Sequence, residues 1–161
     1  MVRQLMVFLI SLSVVFVFPA VSRAGNTATH TVTVKVEPIN EIALTGGDVT
    51  LLVTPDVSDP DSLGTKDDTS CDLVWTSNRD DQKITIASDL HSPKFPLKAE
   101  ARNVNGGAPA PETTLSTASN DFVTGISRTT GRCDVSYMVD VPEADEQGCD
   151  THTVTYTLSD S

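Results

Sequence analysis

The residues with the most constrained chemistry are three cysteines, Cys71, Cys133 and Cys149. In an oxidising compartment such residues cross-link before they bind metal or catalyse. Three leaves one unpaired, and strand parity selects the pair. Cys71 shares a face with Leu73 and Trp75, and Cys133 shares one with Val135, Tyr137, Val139 and Val141, so both are expected to point into a core. A closing hairpin of residues 134–141 and 151–158 would hold Cys133 and Cys149 about 25 Å apart, at ~3.3 Å per residue. A disulfide accepts Cα separations only up to about 7 Å. The expected bridge is therefore Cys71 to Cys133, which leaves Cys149 as an exposed thiol, free or linked to another chain.

Carboxylates come next. Asp56, Asp59, Asp61, Asp67 and Asp68 crowd residues 55–70, and Ca²⁺ needs several such oxygens in one place. The twelve-residue calcium-loop spacing is missing, so a solvated acidic loop is the preferred reading and no metal is assigned. His30, His91 and His152 are scattered without zinc-site spacing. Trp75, Tyr137 and Tyr156 could stack on a sugar, but Trp75 and Tyr137 share faces with Leu and Val and belong to a core. Gly-x-Ser-x-Gly, His-Glu-x-x-His, a phosphate loop and a clustered acid–base pair are all missing, so neither an enzyme nor a cofactor is expected.

The chain that must position these residues has 161 of them, enough for one ordinary domain. Acidic residues outnumber basic ones 22 to 11, which excludes the electrostatic footprint of a nucleic-acid partner. The first 24 residues read as a secretory leader. Arg3 precedes an apolar run from Leu5 to Phe18, and Ser22-Arg23-Ala24 supplies small residues for a cut before Gly25. Pro19 interrupts the run, and it falls short of the ~20 residues that span a bilayer. Removing residues 1–24 takes away Arg3 and Arg23 but no acid, so the net charge moves from -11 to -13. No later apolar stretch is long enough for a stable membrane span. The mature chain, residues 25–161, is expected to be exported to the periplasm, the cell surface or the extracellular space.

Its period is two. Residues 31–37 alternate Thr, Val, Thr, Val, Lys, Val, Glu, with Val32, Val34 and Val36 on one face of an expected strand. Residues 39–45 and 48–54 read as a hairpin about Gly46-Gly47-Asp48. The acidic loop of residues 55–70 follows. Residues 71–76 and 83–87 read as a second hairpin, 95–102 as a strand in which Pro96 marks an edge position or the strand start, and 112–116 and 122–126 as short strands. Residues 133–141 and 151–158 close the chain. About nine short strands and no amphipathic helix predict an all-β, two-sheet β-sandwich of immunoglobulin-like or pilin-like type in a single domain. Thr29-His30-Thr31-Val32-Thr33-Val34 echoes Thr151-His152-Thr153-Val154-Thr155-Tyr156, a match too short to establish a repeat.

The stretches Trp75-Thr76-Ser77-Asn78, Lys83-Ile84-Thr85-Ile86, Val123-Thr124-Gly125-Ile126-Ser127 and Thr153-Val154-Thr155-Tyr156-Thr157-Leu158 resemble small secreted bacterial β-sandwich proteins of unassigned function. The likeness implies no activity. The alternating segment after the leader and the alternating last strand resemble, more loosely, fimbrial subunits that join by donating a strand. The expected function is a non-enzymatic structural or adhesion-type component of the cell surface or extracellular matrix, associating with itself or with other surface proteins. The alternative is a small binding module for carbohydrate or Ca²⁺.

Overall fold

The computed structural model describes residues 27, 29–54, 65–141 and 147–161. The expected leader, residues 1–24, lies outside them. Every regular element among the described residues is a strand: β1 Asn40–Thr45, β2 Thr65–Ser77, β3 Gln82–Ser88, β4 Leu97–Asn105, β5 Ala108–Pro109, β6 Thr113–Thr114, β7 Asn120–Ile126, β8 Thr130–Asp140 and β9 Val154–Asp160. They form two antiparallel sheets, β1-β2-β8-β4-β6 and β5-β7-β3-β9, the two layers of a β-sandwich. The body spans Val36–Ser161.

The core follows from strand parity. Cys71, Leu73 and Trp75 of β2, Ala99 and Ala101 of β4, and Cys133, Val135 and Tyr137 of β8 line one layer. Ile84 and Ile86 of β3 and Phe122, Val123 and Ile126 of β7 belong to the other. β-Branched and aromatic side chains at every second position fill the space between two pleated sheets. Gly131 sits opposite Trp75 in the β2–β8 ladder, and a Cβ there would fall inside van der Waals contact of the indole. The Trp75 ring occupies that space and is buried.

Four expectations about connectivity are corrected. Residues 31–37 lie in no strand, because alternation equips a chain for a pleat without saying which edge supplies the ladder. β1 pairs with β2 rather than with residues 48–54, which form no strand although Val49 and Leu51 pack on the core. No hairpin turn forms there: the chain bends at Gly46, where Gly46 and Gly47 have φ of 103° and 78°, and Gly46 passes so close to β2 that a Cβ would lie 2.9 Å from Cys71 Cα. Residues 65–70 are strand rather than acidic loop, since Lys66, Asp67 and Asp68 pair with Val139, Met138 and Tyr137. Finally, neither 71–76 with 83–87 nor 134–141 with 151–158 is a hairpin. β2 and β8 lie in one sheet and β3 and β9 in the other, so both links cross between layers.

Candidate functional site

The feature that sets this molecule apart from a self-contained sandwich is the segment preceding β1. Val32, Val34 and Val36 are 71%, 82% and 74% exposed. Three valines on one extended face normally lie against a sheet, since burying each contributes about 1.5 to 3 kcal/mol. The chain is tied down just after them. Asn78 donates through Nδ2 to Glu37 O at 2.9 Å and accepts at Oδ1 from Ile39 N at 2.8 Å, while its own amide donates to Ile39 O at 3.2 Å. These contacts carry the β1–β2 register one residue past Asn40–Ser77 and fix where the arm of residues 31–37 leaves β1.

A buried polar knot lies beside that exit. Gln82 is 1% exposed at a core position in phase with Ile84 and Ile86. Its Oε1 accepts from Asn40 Nδ2 at 2.9 Å, and its Nε2 donates to Asp80 O at 3.0 Å and Asp160 Oδ1 at 2.7 Å. One amide thus joins β1, β3 and β9 and satisfies its own buried groups. The Gln82 hydrogen bond, then the Arg79 charge, hold the Asp160 carboxyl below the usual carboxylate range. Neither Asn78 nor Gln82 was anticipated. The available signal was a Gln on the apolar phase of a strand.

The reactive side chains converge inside the body. Cys71 and Cys133 are each 1% exposed and both face the core, as parity required. The expected bridge between them is not formed, and all three cysteines are unbonded. The register explains this: Cys71 stands opposite Val135 and Cys133 opposite Leu73, so the two are diagonal rather than directly paired. Burial pushes the Cys133 thiol up to about 12 and raises that of Cys71. Thiolate, the reactive form, is therefore scarce at both. Tyr137 and Tyr156 share a hydrogen bond of 2.8 Å between their hydroxyls, joining β8 of one sheet to β9 of the other. Burial raises both phenols, and the Tyr156 ring meets Phe122 edge-on at 5.3 Å. Cys149 is exposed, as expected.

The remaining sequence candidates do not assemble. Asp56, Asp59 and Asp61 lie outside the described residues. Asp67 and Asp68 are on β2, where Asp68 accepts from the Ser70 amide at 2.8 Å and hydroxyl at 2.6 Å across a bulge. Those two bonds hold its carboxyl low. Among the described residues no group of three or more His, Cys, Asp or Glu is placed to hold a metal ion. His91 is exposed, and His152 Nδ1 lies 2.9 Å from the buried Ser88 hydroxyl. Trp75 and Tyr137 are core residues with no face for a sugar. An open groove of about 580 Å³ crosses β1 and β2, lined by Glu41, Ala43, Val74, Thr76 and Thr130 among others. Its side chains offer one carboxylate and no acid–base pair. No helix among the described residues is long and apolar enough to cross a membrane. Comparisons with family models, with curated proteins and with solved structures find no match.

Proposed function

We propose that this chain is an exported, non-enzymatic structural or adhesion-type component that associates with itself through the arm of residues 31–37. The observation that carries the reading is the exposure of Val32, Val34 and Val36, at 71%, 82% and 74%, on a segment that alternates like a strand and lies in none. Contiguous apolar surface of this kind marks interaction sites on soluble proteins. Among the described residues the core and the side chains packed on it start at Ile42, so the three valines take no part in it.

The test is the mass of the purified mature protein by size-exclusion chromatography and native mass spectrometry, from micromolar to millimolar, with Cys149 alkylated. Oligomers that grow with concentration are expected, and deleting residues 25–35 is expected to leave a folded monomer. A wild-type chain that stays monomeric over the whole range, or a deletion that unfolds, refutes the reading.

A further inference from the structure

The four strands that end the two sheets are not equally protected. β5 and β6 have two residues each. β1 carries Glu41, and its Asn40 side chain is bound by Gln82. β9 is different: seven residues, with no charge, proline or glycine from Val154 to Ser159. Sheet edges in soluble proteins are usually blunted by charge, proline, a bulge or a cover, because their free N–H and C=O groups template another strand.

The phase of those free groups is fixed. Asp89 N donates to Thr153 O at 3.1 Å and Ser161 N to Asp81 O at 2.8 Å. In an antiparallel ladder the direction alternates, so the odd residues of β9 bond β3. The backbone groups of Val154, Tyr156, Leu158 and Asp160 then point away from β3 to the open edge. The side chains of Val154, Tyr156 and Leu158 face the core and are only partly buried. Among the described residues no strand pairs with this edge, so β9 presents its outer backbone row above three incompletely covered apolar side chains.

Resting on the self-association proposed above, we infer that the arm of one copy adds as an antiparallel strand to β9 of a second copy, with Val34 opposite Tyr156. Arm and edge are both seven residues long. This register sets Val32 opposite Leu158 and Val36 opposite Val154, so three exposed valines cover three partly buried side chains on one face. Thr33 meets Thr157 on the solvent face, and His30 meets Asp160. The arm, with one Lys and one Glu, is neutral over residues 31–37 against a strongly acidic chain. Donor and acceptor are different surfaces, which makes the contact head-to-tail and the products open chains or rings rather than a two-fold dimer.

The experiment uses protein expressed with its own leader and purified, in a Cys149→Ser background, as two variants: Thr33→Cys in the arm and Thr157→Cys on β9. Both positions are exposed. The register makes them a non-hydrogen-bonded pair, the close geometry that a cross-strand disulfide accepts. After mixing and oxidation with diamide, a 33–157 link between two chains is expected at least tenfold above the link that Thr33→Cys forms with Ala43→Cys on β1. Equal linking to both edges, or linking of 157 only to 157, overturns the inference. Wild-type mass separates the two failures. Oligomers without a 33–157 link refute the β9 acceptor and leave self-association standing, whereas a monomer at all concentrations removes both.

Discussion

The tyrosine pair between the sheets makes a quantitative prediction, because each hydroxyl is the other's partner and burial raises both. Tyr137 is 6% exposed, whereas Tyr156, on the end strand β9, is only partly buried. Changing either to Phe keeps the ring and removes one partner of the 2.8 Å bond. Tyr156→Phe leaves the Tyr137 oxygen buried and unpaired, a cost of about 2 kcal/mol within the range for orphaned buried groups. Tyr137→Phe orphans the Tyr156 oxygen, whose phenol is raised by burial as well, and likewise costs about 2 kcal/mol. The double variant orphans nothing and is expected to cost no more than about 1 kcal/mol, giving a coupling energy of roughly 3 kcal/mol. Urea unfolding followed by tryptophan emission reads all four proteins directly, since Trp75 is the chain's one tryptophan and is buried between the same sheets. Additivity within ~0.3 kcal/mol would refute the inter-sheet bond.

Two further outcomes follow from packing and titration. Gly131→Ala forces a methyl into the space held by the Trp75 indole, and a rigid buried ring yields little, so a loss of about 1 to 3 kcal/mol with an altered emission maximum is expected. An unchanged unfolding midpoint would contradict that contact. Alkaline pH should destabilise the body. Cys133, Tyr137 and Tyr156 all have folded pKa values raised by burial, so their contribution is complete while the unfolded chain keeps them neutral. It is lost as pH rises, first from about 9 as the unfolded Cys133 thiol ionises while the folded one holds to about 12, then above 10 for the phenols. The melting temperature measured from pH 8 to 11 should fall, and Tyr137→Phe/Tyr156→Phe should flatten the part above pH 10.

The layer architecture was legible because it depends on period alone. Leu73-x-Trp75, Ile84-x-Ile86 and Val135-x-Tyr137 each commit one face of a strand to a core, and the structure buries those faces. Partnership was not legible, for a physical reason. A ladder is made by backbone groups common to all residues, so the sequence of residues 39–45 is equally suited to 48–54 or to β2. Gly46 decides in favour of β2 through close contact with Ser70 and Cys71, which only the folded chain brings to it. The same blindness hid the acidic start of β2, where Lys66 and Asp67 point to opposite faces and both are exposed, as they would be in a loop. The arm was legible as a strand by pattern, and its exposure became visible only once the sandwich was seen to form without it.

The thiols test the β2–β8 register itself. Cys71 opposite Val135 and Leu73 opposite Cys133 set the two cysteines on a diagonal, where side-chain carbons stand about 7 Å apart. A disulfide needs Cβ atoms at roughly 3.5 to 4.5 Å. Bringing the two directly opposite would slide β2 two residues along β8, which keeps each face but carries Trp75 away from Gly131, whose missing side chain makes room for the indole. The bulge between Asp68 and Cys71 already absorbs the one register change this ladder makes, on the far side of Cys71 from Trp75. Protein denatured without reductant is therefore expected to titrate three thiols per chain. In native protein iodoacetamide should label Cys149 alone, because Cys71 and Cys133 are sealed and Cys133 holds its proton to about 12. Native labelling of Cys133 at a rate near that of Cys149 would show that the sheets part at β8. A Cys71–Cys133 peptide in the unreduced digest would show that β2 shifts against β8, and with it would go the placement of Trp75 over Gly131.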